Sequence, residues 1–320
     1  MNKEVPLLII GTVPDTVGIG GVTIHIERLL HWLNEKGQKY NFCDYKKESI
    51  GKILRSIISH KIIHIHPSNP IFRLFLVIVS KLIGKKVIFT VHGNLGRYSL
   101  LKNYMDNFSV TLCDIPIVIN EGSYKKAINW NKNTKLLTAY IPPYSDGYIN
   151  QNIIDMIKTA KQNNTIIVST NASARSYTID GEEIYGINFL VEYFSKHLEY
   201  FLFISDPSSQ YTEIYKNSYF ENIMFITERH SFYALMKHSD IMVRCTATDG
   251  DSLSVWEGLD LKIKVLATDC VNRPDGVILF KYNDLITFEK ALQAPSNARS
   301  YSAECNNVVD KLMVIYKDLL

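Results

Sequence analysis

From end to end the chain alternates short apolar runs with longer segments whose apolar residues recur at helical spacing. A short run that is apolar throughout suits a strand buried on both faces, and parallel sheets covered by helices are where such strands occur. Strands are expected at Leu7–Gly11, Asn41–Tyr45, Ile62–His66, Val87–His92 and Ile115–Asn120, with a sixth at Leu136–Ile141. Between them lie helices, the clearest over Val22–Lys36, where Val22, Ile26, Leu29, Leu30 and Leu33 share a face and Gly37 supplies the stop. The segment Ile141-Pro142-Pro143-Tyr144-Ser145-Asp146-Gly147 then interrupts the pattern with the densest turn-forming punctuation in the chain. A second series follows, with strands at Thr165–Ser169, Tyr200–Ser205, Ile223–Thr227, Ile241–Cys245, Lys264–Ala267 and Val277–Phe280 and helices such as Ile187–Lys196 and Ser254–Leu261. The expected architecture is α/β: two doubly wound domains facing a cleft, residues 1–145 and 146–304. The tail at about 305–320, with Val308, Leu312, Ile315 and Leu319 at helical spacing, is expected to pack back on the first domain.

A length of 320 residues supplies two cores of about 150 residues each. The net charge of +3 is too small for a dedicated nucleic-acid binder, but it conceals an uneven distribution. Residues 1–150 carry 19 Lys and Arg against 10 Asp and Glu, a balance of +9, which leaves −6 for the remainder. A basic first half suits a phosphate-bearing or anionic-membrane ligand, and ordinary solvated charge accounts for it equally well. The start MNKEVPLLIIG has too short an apolar stretch for a signal peptide and reads as a first strand. The longest later apolar run, Ile71 to Gly84, carries Arg73 and Lys81 and is too short to span a bilayer. Cys43, Cys113, Cys245, Cys270 and Cys305 are widely spaced without a Cys-x-x-Cys pair, the pattern of reduced thiols in a cytoplasmic protein rather than of a disulfide framework or zinc site.

In doubly wound sheets ligands sit beyond the carboxyl ends of strands, so the loops there are the place to look for chemistry. Gly18-Ile19-Gly20-Gly21 follows the first strand and opens a helix, whose unpaired amides favour phosphate. It is neither a Walker A nor a full dinucleotide fingerprint. The fourth strand ends in Val91-His92-Gly93-Asn94, which places His92 at a strand terminus. His64 and His66 share one side of the third strand, and with no acid or Cys to complete a metal site they read as core or rim histidines. The richest stretch runs from Arg244 through Thr248-Asp249-Gly250-Asp251-Ser252-Leu253-Ser254-Val255-Trp256-Glu257-Gly258 into a helix. It sets two carboxylates, Asp249 and Glu257, on either side of a helix amino terminus, a combination suited to a sugar nucleotide.

On these residues the sequence resembles the retaining glycosyltransferases of the two-Rossmann GT-B fold, especially family 4. Asp249 to Glu257 matches that family's acid-x7-acid spacing, with Asp in place of the usual first Glu. Gly20-Gly21 followed by Ile24-His25-Ile26 and Leu29-Leu30 is similar to its glycine-rich loop and helix, and Val91-His92-Gly93 to its histidine-glycine turn. The resemblance implies a metal-independent, cofactor-free hexosyltransferase. In it Glu257 holds the ribose, Asp249 contacts hydroxyls of the transferred sugar, and the backbone at Gly250, Asp251, Ser252, Leu253 and Ser254, with Gly20 and Gly21, holds the diphosphate. His92 would approach the sugar from the opposite domain, and Asn94 the acceptor. The basic first half adds the expectation of surface polysaccharide synthesis of the O-antigen or capsule type, with a glycan or lipid-linked glycan acceptor at the inner face of the membrane. Lys81, Lys85, Lys86 or the Lys125–Lys126 pair would meet that membrane.

The chain also departs from the pattern. Tyr185-Gly186-Ile187 puts tyrosine where the family places a phosphate-binding lysine, so Arg175 is expected as the substitute cation, helped by Arg244 or Lys264. Asp249-Gly250-Asp251 also has the Asp-x-Asp form that holds a metal in single-domain glycosyltransferases, although its place in the chain and the following Glu257 favour the first reading. Asp269, Arg273 and Pro274 follow the next strand where they would border the cleft, although a turn-forming Asn-Arg-Pro-Asp-Gly run needs no function. A non-catalytic GT-B partner subunit, or a sugar-nucleotide epimerase or hydrolase on the same fold, are the alternatives.

Overall fold

A computed structural model describes residues 6–14, 20–296 and 307–320 of the chain. Gly18, Ile19 and Cys305, named above, lie outside these residues. The chain divides into two compact units, the second beginning at Ser145.

The first unit contains β1 (Leu7–Gly11), α1 (Gly21–Glu35), β2 (Asn41–Asp44), α2 (Ile50–Ser59), β3 (Ile62–Ile65), α3 (Pro70–Leu82), β4 (Lys86–Val91), α4 (Leu100–Leu112), β5 (Ile115–Val118), α5 (Glu121–Trp130) and β6 (Lys135–Leu136). All strands are parallel in the order β2-β1-β3-β4-β5-β6, so the winding direction reverses between β1 and β3. The two-residue period of β1 separates two cores. Leu8 and Ile10 join Ile53 and Ile57 of α2 and Leu76 and Val77 of α3 on one face, while Leu7 and Ile9 meet Leu29 and Leu33 of α1 on the other. Asn69 caps α3, its carbonyl oxygen accepting from the Ile71 amide at 3.0 Å, and Pro70 fits the first turn where no amide partner is needed.

Of the expected sixth strand, Leu136–Ile141, only Leu136 lies in a strand, paired beside Lys135 in β6. Beyond Leu136 the backbone gives its carbonyls to side chains of α1: Ala139 to His25 Nδ1 at 2.6 Å, Ile141 to Arg28 Nη1 at 3.0 Å and Pro142 to Trp32 Nε1 at 2.9 Å. A chain whose carbonyls are engaged in this way runs as a strap along the helix instead of extending a sheet.

The second unit contains α6 (Gln151–Gln162), β7 (Ile166–Asn171), α7 (Ile187–Phe194), β8 (Tyr200–Ser205), α8 (Gln210–Tyr215), β9 (Ile223–Ile226), α9 (Phe232–Met236), β10 (Ile241–Arg244), α10 (Leu253–Asp260), β11 (Lys264–Thr268), β12 (Ile278–Phe280) and α11 (Leu285–Gln293). Its parallel sheet is ordered β12-β11-β10-β7-β8-β9, the doubly wound arrangement with its switch point between β7 and β10. Val168, Leu202 and Val243 pack against α7 and α11, while Ile167 and Phe203 pack against α6. A final helix, α12 (Asn307–Asp318), belongs to the first unit, where Val308, Val309, Leu312, Ile315 and Tyr316 complete the core beneath β1 and β3.

Candidate active site

Two clusters of polar side chains sit at carboxyl edges of strands, each at the switch point of its own sheet. In the second unit Arg244 ends β10 and turns toward Asp249 in the following loop, with Nε at 3.0 Å from Oδ2 and Nη2 at 3.2 Å from Oδ1. Arg273, beyond β11, places Nη1 at 2.9 Å from the same Oδ2. It is anchored by Nε to the Thr268 carbonyl at 3.0 Å and by Nη2 to Thr246 Oγ at 3.3 Å. Arg244 also reaches across the switch point to the Asn171 carbonyl at the end of β7, 3.4 Å away. Burial alone would raise the Asp249 carboxyl, but Arg244 and Arg273 override it and hold the group well below the usual carboxylate range. Two guanidiniums against one carboxylate leave one positive charge, held rigidly where the fold places ligands.

The loop then enters α10, whose N-cap is Ser252, with Ser252 and Ser254 hydroxyls 3.0 Å apart. Trp256 donates its indole N–H to Asp251. Glu257 is 5% exposed, one turn inside α10. The structure therefore brings Arg244, Asp249, Gly250, Asp251, Ser252, Leu253, Ser254 and Glu257 together around one strand end and one helix start. It also argues against Asp-Gly-Asp as a metal ligand pair, because Asp249 is committed to two guanidiniums and Asp251 to Trp256.

The missing lysine has a local explanation. The Tyr185 ring faces the Arg244 guanidinium at 5.3 Å, and its hydroxyl pairs with Ser173 at 2.6 Å. Gly186 next to it adopts φ +56, and a Cβ there would lie 2.9 Å from the Cys245 carbonyl, so this turn requires glycine. Glu183 caps α7, accepting from the Ile187 and Asn188 amides at 3.2 Å each. Arg175 is not part of the cluster: it is exposed, with its guanidinium 5.1 Å from the Tyr177 ring. Lys264, also considered as a helper cation, begins β11 and donates to the Leu292 carbonyl, so it belongs to the opposite edge of the sheet. Arg273, placed by the sequence at the cleft border but given no role there, is the second cation of the cluster. The available signal was its place just after a strand that neighbours the one ending in Arg244.

In the first unit Gly20 is the N-cap of α1 and Gly21 its first residue, and a Cβ at Gly20 would meet nothing within 4 Å. His92, half-buried beyond β4, meets His25 of α1 edge to face at a centroid distance of 4.9 Å and bonds His66 Nδ1 through Nε2 at 2.9 Å. Asn94 accepts from Asn120 at 3.0 Å. His64 is a core histidine, its two nitrogens engaged by Tyr316 OH at 2.7 Å and Thr90 Oγ at 2.8 Å. In the sequence His25 belongs only to the Ile24-His25-Ile26 helix pattern, and its meeting with His92 depends on strand order.

No protein-family model matches the sequence, and no curated protein matches it significantly. Solved structures do match. Anabaena Alr3699/HepE in complex with UDP and glucose is similar over 98% of this chain and 100% of its own, with a TM-score of 0.71 at 10% identity. Sucrose-phosphate synthase from Thermosynechococcus elongatus gives 0.66 at 13% identity over 98% of both chains. WaaG, a glycosyltransferase involved in lipopolysaccharide biosynthesis, gives 0.65 at 13% identity over 97% of this chain and 99% of its own. With two parallel sheets wound in this order and these likenesses spanning nearly the whole chain, the protein has the two-domain GT-B fold.

Proposed function

We propose that the chain is a retaining glycosyltransferase that moves a hexose from a nucleotide-diphosphate donor to a hydroxyl of a glycan or lipid-linked glycan. The observation that carries this reading is the Arg244–Asp249–Arg273 cluster at the switch point of the second sheet, one surplus positive charge beside the start of α10. As the glycosidic bond to phosphate breaks, negative charge grows on the leaving diphosphate. Cations already fixed in place stabilise that charge without reorganising, which is the largest single contribution such a site makes. In this role Asp249 orients the two guanidiniums as well as contacting sugar hydroxyls, the amides at Ser252 and Leu253 add donors, and Glu257 accepts from the ribose. The C1–O bond to phosphate breaks as the bond from C1 to the acceptor oxygen forms on the same face, and the acceptor proton passes to the departing phosphate oxygen. No protein base and no metal is called on. His92 and Asn94 are assigned to the sugar and acceptor. HepE, solved with UDP and glucose, and WaaG make the nucleotide sugar and the surface-glycan setting the natural first candidates.

A membrane-linked acceptor is supported by the first unit's surface. Between Glu48 and Asp106 the sequence has nine Lys and Arg and no acid. At the start of α4, Leu100, Leu101 and Tyr104 are all more than 65% exposed, with exposed Arg97 and Lys102 adjoining them in the chain, while Leu82, also exposed, lies at the other end of the packed α3–α4 pair where Lys81 meets Asp114. Lys81 and Lys86 converge on Asp114, and Lys126 donates to the Leu95 carbonyl, so much of the charge first considered for this role is committed within the fold. No helix among the described residues is long and apolar enough to cross a membrane.

Tyr185 in the lysine position keeps one other reading open, a partner subunit that binds donor without turnover. Donor hydrolysis across a panel of nucleotide sugars, followed for the parent and Glu257→Gln, separates them. Slow hydrolysis that falls at least about 10-fold in Glu257→Gln supports transfer. Binding with no hydrolysis supports the partner subunit, and equal hydrolysis by both proteins overturns the placing of the donor.

A further inference from the structure

We infer that His25, His66 and His92 form a binding site for a divalent d-block cation of the zinc class, with three imidazole ligands and an open fourth position. The three rings come from α1, the loop after β3 and the loop after β4, and one ring nitrogen of each lies within 4.8 Å of the others. Ring centroids are 4.9 Å apart for His25 and His92, 5.2 Å for His66 and His92, and 5.8 Å for His25 and His66. Each ring is aimed by the fold. His25 Nδ1 is tied to the Ala139 carbonyl at 2.6 Å, the outer hydrogen bond that metal-binding imidazoles commonly make, and this leaves Nε2 for the cation.

His66, 1% exposed, bonds His92 Nε2 through Nδ1 at 2.9 Å, so these two nitrogens face each other and are the pair a shared cation would engage. His64, 4.1 Å from His66 between ring centroids, has both nitrogens engaged and forms a wall of the site. With Zn–N bonds of about 2.05 Å, tetrahedral ligand atoms stand about 3.3 Å apart, so closing the site takes ring movements of about an ångström or more. Nitrogen-only donors favour zinc, cobalt or nickel over magnesium or calcium. Two ligands are buried and His92 is half-buried, which puts the open position on the His92 side.

The test uses zinc and cobalt salts with the full chain, first freed of metal by chelator. Competition with a chromogenic chelator is expected to show one zinc per chain, and X-ray absorption of the zinc-loaded parent a first shell with three imidazole nitrogens. The His25→Gln and His66→Gln variants should each bind zinc at least about 10-fold more weakly, with His31→Gln, outside the cluster, unchanged. Absence of binding at a tenfold excess of zinc, a first shell without imidazole, or undiminished affinity in both folded variants would overturn the site. The absorption measurement needs no variant, so it decides the matter even if a substitution prevents folding.

Discussion

Asp249 receives hydrogen bonds from two guanidiniums, and this single carboxylate accounts for most of the local order at the end of β10. Asp249→Asn leaves two nearly buried arginines without a counter-charge and should cost about 3 kcal/mol at neutral pH, measured by urea unfolding. The pH dependence follows from the direction of its shift. A carboxyl depressed in the folded state contributes stability that is complete above its unfolded value of about 4 and is lost as pH falls toward its lower folded value. The parent and Asp249→Asn should therefore converge in melting temperature as pH drops from 4 toward 2, and a constant gap would contradict the assignment. Gly186→Ala should cost about 1–3 kcal/mol, because φ is +56 and the nearest backbone atom, the Cys245 carbonyl, cannot yield as a side chain would. At this scale the acid-x7-acid spacing was legible because it is local in the chain. Arg273 was not, because it reaches Asp249 across 24 positions only once β10 and β11 pair.

At the scale of elements, periodicity located the strands well because most are short, largely apolar runs bounded by turns. It failed at Leu136–Ile141, an apolar run whose carbonyls are claimed by His25, Arg28 and Trp32 of α1. Hydrophobicity says that such a run is buried, and only the partner of its backbone says whether it is a strand. The helix α12 shows the converse, a segment far along the chain that completes the first core. Its Tyr316 hydroxyl bonds His64 at 2.7 Å, and the two residues are 1% and 0% exposed. Tyr316→Phe leaves one buried imidazole nitrogen without that partner and should cost about 1–3 kcal/mol, whereas a loss below 0.5 kcal/mol would show the bond to be incidental.

At the scale of the molecule, the split between a +9 half and a −6 half corresponds to different surfaces and different proposed tasks. The exposed leucines of α4 and the adjoining cations should bring the protein to anionic vesicles at low salt, with binding falling several-fold at higher salt as screening grows. Leu100→Glu with Leu101→Glu should abolish flotation without altering nucleotide binding, and flotation that survives would remove the membrane from the account. The central claim is that the second unit holds a nucleotide diphosphate on the surplus charge beside Asp249. Arg273→Met is the cleanest probe, because it removes that surplus while leaving Asp249 paired with Arg244. Calorimetric titration of parent and variant with a panel of nucleoside diphosphates is the direct measurement. The account predicts that at least one binds the parent and that Arg273→Met weakens it about 10-fold or more; no binding across the panel, or equal affinity in the variant, would contradict it.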